Sequence, residues 1–114
     1  MVKLIIFAKR KAGMSFADFD RYWRHEHAAV IKSVAEFNRH VRRYVQCHRV
    51  ESAVPFAGDA AYDGVAELWF DDAQSMQRAF AEPRYLEVIR ADELKFVDLA
   101  GCISCVTEEF EVIA

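Results

Sequence analysis

The stretch from Ser15 to His27, SFADFDRYWRHEH, narrows what this chain can fold into more than any other. At about 100° per residue, Phe16, Phe19, Asp20, Trp23, His27, Val30, Ile31 and Val34 fall on one side of a helix, with Asp18, Arg21 and His25 on the other. A helix with this many large rings in one stripe must lay that stripe on a second layer. Ser15 precedes the periodicity as an N-cap, and Asp18 stands three residues later, where the reciprocal bond of a capping box comes from. His27 lies inside the apolar stripe. It has two readings: a core imidazole bonded to a backbone carbonyl, or an acid/base or orienting group of a pocket. His25, about 160° round the helix from His27, is expected in water.

Composition sets the frame for that helix. The 114 residues, 54% hydrophobic with nine Phe, are enough for one ordinary core, so the whole chain, 1–114, reads as a single domain. A formal net charge of -3 without a basic block argues against a nucleic-acid binder. The apolar run in Val2 to Lys9 is too short for a signal core or a membrane span, so no membrane role and a cytoplasmic location are expected, with the three Cys as reduced thiols. Cys102 and Cys105 have redox or metal spacing, but an odd separation in a strand sends them to opposite faces. The sequence contains no second Cys pair, HExxH or glycine-rich phosphate loop, so neither a metal nor a cofactor is expected. His27 and His48 are the residues a haem would use, and nothing else in the sequence asks for one.

The remaining elements alternate in period. Val2 to Lys9 reads as a strand with faces Leu4/Ile6/Ala8 and Ile5/Phe7. Val41 to Val50 reads as a second strand, with Val41, Val45 and Cys47 on an oily face and Tyr44, Gln46 and His48 on a polar-aromatic one. A loop from Ser52 to Asp63 is long enough to overhang a site. Gly64 to Phe70 is a third strand, with Ala66/Leu68/Phe70 opposed to Val65/Glu67/Trp69. Asp71 or Asp72 caps a helix carrying Met76, Ala79 and Phe80; Pro83 opens a further helical piece, Arg84 to Leu94; Gly101 to Val112 is a last, irregular strand. The order β-α-β-β-α-β predicts an α+β, ferredoxin-like antiparallel sheet with helices on one face.

Such a sheet has a second face. On this reading Ile5, Phe7, Tyr44, Gln46, His48, Val65, Glu67 and Trp69 line it, more aromatic surface than a monomer normally shows, so a second copy is expected to cover it. Two sheets face to face would enclose an aromatic cavity suited to a small molecule. Residues 48 and 67 are equidistant from the loop centre near Ala57, so a simple hairpin sets His48 opposite Glu67, as either an acid/base pair or a structural hydrogen bond. His40 and the arginines 39, 42, 43 and 49 read as solvated, with the arginines also able to steer an anion to one rim.

Three motifs, Tyr22-Trp23 with His27 four residues beyond the Trp, RYVQCH at 43–48 and YDGVAELWF at 62–70, together resemble the EthD family of dimeric α/β-barrel proteins. The resemblance covers nearly the whole chain and implies a ferredoxin-like domain pairing through its sheet face. The superfamily includes lactone isomerases, polyketide cyclases, haem-degrading and cofactor-free monooxygenases, and members without known activity. Where the family often has Gly-Pro or Ala-Pro after the helix His, this chain has Ala28-Ala29, so no proline ends the helix there. The expected function is a cofactor-free enzyme of isomerase, cyclase or monooxygenase type, acting by proton transfer on a small cyclic or polyketide-like carbonyl compound. His48, Glu67 and His27 are its expected catalytic residues, and Tyr44, Gln46, Trp69, Phe7 and Trp23 its expected substrate contacts. The alternative is a non-catalytic dimeric binding or accessory protein.

Overall fold

The sheet forms as the β-branched and aromatic runs predict. In the computed structural model, which describes residues 1–50 and 61–114, β1 (Val2–Ala8), β2 (Arg43–His48), β3 (Gly64–Phe70) and β4 (Ile103–Thr107) make one antiparallel sheet in the order β2-β3-β1-β4. The helices cover one face. The fold is the expected α+β, ferredoxin-like arrangement, although β4 is shorter than the sequence suggests.

The first helical run, α1, spans 16–32 and contains α-helical turns at Phe16–Tyr22, a π-helical turn at Trp23–His27 and α-helical turns at Ala28–Lys32. Ser15 caps it, its hydroxyl accepting the Asp18 N–H at 3.1 Å. Asp18 does not return the bond; its carboxylate takes Arg21 at 2.7 Å. With no proline after His27, the run continues to Lys32 and is followed by a short α2 (Ala35–Asn38). Asp72 caps α3 (Ala73–Ala81) by accepting the Ser75 N–H at 2.7 Å. The run α4 consists of a second π-helical stretch, Tyr85–Arg90, and an α-helical turn, Ala91–Glu93.

Leu4, Ala8, Phe19, Trp23, Val34, Phe37, Ala66, Leu68, Phe70, Ala79, Tyr85, Ile89 and Phe96 form the core between sheet and helices. The α1 stripe has the expected phase: Phe19, Trp23 and His27 are buried and His25 is exposed. Trp23 lies on Gly64, where an added Cβ would meet the indole and come within 2.8 Å of the Cys47 carbonyl. Absence of a side chain at residue 64 is therefore what lets the helix settle on the sheet.

The orientation of β2 departs from expectation. Val45, not His48, pairs with Glu67, and His48 pairs with Gly64. This register is three residues from the loop-centred one, and an odd shift turns every side chain to the other face. Tyr44, Gln46 and His48 therefore share the helix-covered face with Leu68, Ala66 and Gly64, while Arg43, Val45 and Cys47 join Glu67 and Trp69 on the open face. The start of β3 is held elsewhere: the Asp63 N–H donates to the Ala8 carbonyl at 2.8 Å, and the Asp63 carboxylate accepts the Arg10 N–H and guanidinium, each at 2.8 Å. Most of the proposed overhanging loop lies outside the described residues. Arg39, Arg42 and Arg43 are exposed, as the solvated rim requires, while His40 and Arg49 are half-buried; Arg39 and His40 both hold Glu82 (2.6 and 2.9 Å), Arg42 forks onto Asp71 (2.9 and 2.7 Å), and Arg43 and Arg49 lie over Trp69 and Phe16.

Replacing Trp23 with Ala should cost about 3–5 kcal/mol in a denaturant melt, and Gly64→Ala about 1–3 kcal/mol. In the double variant the Gly64 penalty should shrink, because the ring that opposes the new Cβ is gone; simple additivity would mean that the two residues do not act as one joint.

Candidate active site

A cavity of about 310 Å³ lies between the sheet and the helices. Its apolar wall includes Leu4, Ile6, Ala66, Phe80 and Phe96; Trp23, His27, Tyr44, Tyr85, Arg90 and Glu93 bring the polar or titratable atoms. Both π-helical turns contribute to it, the first ending at His27 and the second running from Tyr85 to Arg90.

His27 is 3% exposed, and its Nδ1 lies 2.7 Å from a carboxylate oxygen of Asp92, itself 4% exposed. The other Asp92 oxygen accepts the Tyr22 hydroxyl at 2.5 Å, with the Lys95 ammonium 3.6 Å away. Phe96 packs on the His27 ring with centroids 4.8 Å apart. Asp92 fixes which imidazole nitrogen carries the proton: Nδ1–H donates to the carboxylate, leaving Nε2 as the basic atom of the ring. Burial pushes the Asp92 carboxyl up, but the Tyr22 and His27 hydrogen bonds, with the charges of His27 and Lys95, outweigh it and hold the group below the usual carboxylate range.

A second polar cluster stands beside the first. The Tyr85 hydroxyl donates toward the Glu93 carboxylate, with oxygens at 3.1 and 3.2 Å, and accepts from Arg90 at 3.2 Å; Arg90 also holds Glu93 at 2.9 Å. Burial, then the charge of Glu93, pushes the Tyr44 hydroxyl up to about 12, while the Trp23 and Gln46 side chains pull the other way. Burial and Asp92 push Tyr22 up to about 12 as well, and burial with the Glu93 charge drives Tyr85 upward. All three phenols are thus held neutral, as donors. Cys102 also lines the cavity, but burial pushes its thiol up and the sulfur donates to the Asp98 carbonyl at 3.2 Å, an arrangement unsuited to a nucleophile.

The expected site residues divide between two faces. His27, Trp23 and Tyr44 line the cavity. His48 lies under α1, its Nδ1 2.5 Å from Asp20 and its Nε2 2.9 Å from the Gln46 amide oxygen, with the tilted Trp23 ring 4.5 Å away. Glu67 is on the open face, bonded to Lys3 at 3.3 Å, so it and His48 cannot act as a pair. Phe7 and Trp69 are also on the open face. There Lys3 and Arg43 approach the Trp69 ring to 5.0 and 4.7 Å, and Glu109 accepts its indole N–H.

Asp92, Glu93, Tyr85 and Arg90 were not singled out from the sequence, and Tyr22 stood out only as part of the Tyr22-Trp23 motif. A signal for Asp92 exists: Tyr85, Ile89, Asp92 and Phe96 follow helical spacing and are all buried, so a carboxylate occupies an apolar stripe on α4 just as His27 does on α1.

Fold and cavity define the class, a ferredoxin-like α+β domain whose pocket lies between helices and sheet. The family model for the EthD domain matches residues 11–100, and the chain belongs to that family. It is 25% identical over 107 residues to the dehydratase aurZ of Gibberella zeae, covering 86% of this chain and 70% of that protein. It is 29% identical over 104 residues to the conidial pigment biosynthesis dehydratase EthD of Metarhizium robertsii, covering 83% and 72%. Among solved structures, an ethyl tert-butyl ether d (EthD) family protein of Bacillus halodurans superposes with a TM-score of 0.70 at 22% identity, over 96% of this chain and 99% of that one. A dimeric ferredoxin-like protein of unknown function from Bacteroides fragilis gives a TM-score of 0.66 at 10% identity, over 95% of each chain. Among the described residues no helix is long and apolar enough to cross a membrane.

A phenol held neutral by the fold stabilises the folded state at pH values below its unfolded pKa near 10, and that contribution is lost as pH rises through the folded value. With Tyr22 and Tyr44 raised to about 12, ultraviolet absorbance at about pH 11 should show far less tyrosinate in the native chain than in denaturant. Equal absorbance in the two states would contradict the assigned environments.

Proposed function

We propose that this chain is a cofactor-free enzyme that moves protons on a small cyclic or polyketide-like carbonyl compound held in the helix–sheet cavity. The reaction class favoured is loss of water from a β-hydroxy carbonyl. The observation that carries the reading is His27, a residue of the cavity wall clasped through Nδ1 by the buried Asp92 at 2.7 Å. A base so oriented suits abstraction of a proton from the carbon next to a carbonyl. The C–H pair becomes the new double bond, the C–O bond breaks, and the departing hydroxyl takes the proton from the His27 imidazolium, leaving as water. No electrons are exchanged with an outside carrier. The neutral Tyr44 hydroxyl, also at the wall, supplies a hydrogen bond to the developing enolate oxygen. The names of both curated relatives, each a dehydratase, support the choice of elimination over isomerisation, cyclisation or oxygenation.

This reading replaces the His48–Glu67 pair with His27 and Asp92. Trp23 and Tyr44 remain proposed substrate contacts; Gln46, Phe7 and Trp69 do not reach this cavity's wall. A panel of cyclic β-hydroxyketones, followed by growth of enone absorbance, tests it. His27→Ala should lower turnover by about two to four orders of magnitude, and Tyr44→Phe by about one. Unchanged turnover in His27→Ala would remove the proposed base, and absence of turnover with retained binding would leave the non-catalytic binding protein as the better description.

We further infer a homodimer through the open sheet face. Phe7 at 37% and Ile103 at 55% exposure lie there with Ile5, Val45 and Val65, an apolar surface interrupted by Lys3 and Glu67. The dimeric structural neighbour supports the pairing. Trp69 is not what the partner covers, since it is only 8% exposed in the single chain. Sedimentation at micromolar concentration should give twice the 13.1 kDa chain mass, and Phe7→Glu should give the monomer without loss of helical signal. A wild-type monomer would refute the pairing.

A further inference from the structure

A groove separate from the cavity runs along the edge of the sheet, between β2 and the far flank of α1. Its volume is about 380 Å³, and Arg24, Ala28, Ile31 and Lys32 line it from the helix, Tyr44, Gln46 and His48 from the strand. The helical residues follow one flank, and the strand residues alternate along one face. The floor is apolar at Ala28, Ile31 and the Tyr44 ring, while the rim is cationic.

The strand side of the groove is fixed by hydrogen bonds, and its charge comes from the helix side. The Gln46 amide nitrogen donates to the Trp23 carbonyl at 2.9 Å, which turns its oxygen toward His48 Nε2 at 2.9 Å. The other ring nitrogen faces the Asp20 carboxylate at 2.5 Å. Arg24 is half-exposed and reaches Asp20 at 3.5 Å, and Lys32 has no ion-pair partner among the described residues. Two cationic side chains, Arg24 and Lys32, thus stand in a groove whose wall among the described residues holds no carboxylate; Asp20, behind His48, partly offsets Arg24.

The geometry points to a second binding site, for a small amphipathic anion: an apolar or aromatic body lying on Ala28, Ile31 and Tyr44, with a carboxylate between Arg24 and Lys32. Tyr44 is the wall this groove shares with the cavity, so an occupant touches the residue whose hydroxyl serves the other side. The site does not depend on the reaction assigned to the cavity, and its test is a binding measurement with no turnover in it.

Naphthalene carboxylate is the probe, and uncharged naphthalene methanol its control, each titrated into the isotope-labelled full chain and followed by amide NMR. The carboxylate should shift Ala28, Ile31 and His48 and bind more weakly as salt rises. Removing both cations, Arg24→Gln with Lys32→Gln, should weaken it about tenfold without changing the melt, since both side chains are at the surface. Lys32→Glu, a single surface change, should weaken it in the same direction should the double variant fold poorly. Shifts confined to cavity residues such as Tyr85 and Phe96, no shifts, equal binding of the two probes, or full affinity in the variants would overturn the proposal.

Discussion

A buried carboxylate governs how the two helical layers meet. Asp92 receives the Tyr22 hydroxyl and the His27 ring from one helix and sits on the other, so it ties α1 to α4 at the point where the cavity opens between them. An isolated carboxylate at 4% exposure would be strongly disfavoured. Held by two donors on a neighbouring helix, it becomes a condition on the packing: the helices must approach at one height and one rotation, or the charge is left without partners. The aromatic packing of Phe96 on both Tyr22 and His27, with centroids 4.8 Å away in each case, fills the space around the clasp and keeps water from substituting for either donor.

The features legible in the sequence were those set by local period. The stripe of Phe19, Trp23 and His27, the Ser15 and Asp72 caps and the alternation of the first three strands follow from local pattern, and together they imply the β-α-β-β-α-β element order; the last strand showed no clean alternation. The orientation of β2 is different in kind. Its two faces were sorted correctly, but which one turns to the helices depends on strand pairing across residues 49–63. There the Asp63 clasp by Arg10 and the fit of Gly64 beneath Trp23 decide the register, and both are long-range contacts. The oily Val45/Cys47 face suggested a core and lies instead on the open side.

The candidate site divides in the same way. His27 and Trp23 could be read from one helix alone, and Tyr44 from one strand. Asp92 needed the α4 periodicity to be followed through to Phe96. Glu93, Tyr85 and Arg90 form a cluster only because the second run carries a π-helical stretch, for which neither spacing nor composition offers a sign. The sheet's two faces consequently have unlike chemistries. The helix-covered face holds neutral phenols and an oriented imidazole, and the open face holds a Trp69 ring flanked by cations with Glu67 bonded to Lys3.

A π-helical turn is geometrically an α-helix with one residue too many. Beyond the turn at Trp23–His27, everything toward Lys32 is rotated by roughly a third of a revolution from where an uninterrupted α-helix would have put it. Position around the helix axis is therefore encoded by chain length as well as by residue type. Loss of a single residue from that turn would leave a perfectly good helix with all its aromatic anchors upstream, but the imidazole would swing off its carboxylate partner. A descendant could keep every side chain of this pocket and still lose its arrangement through one codon.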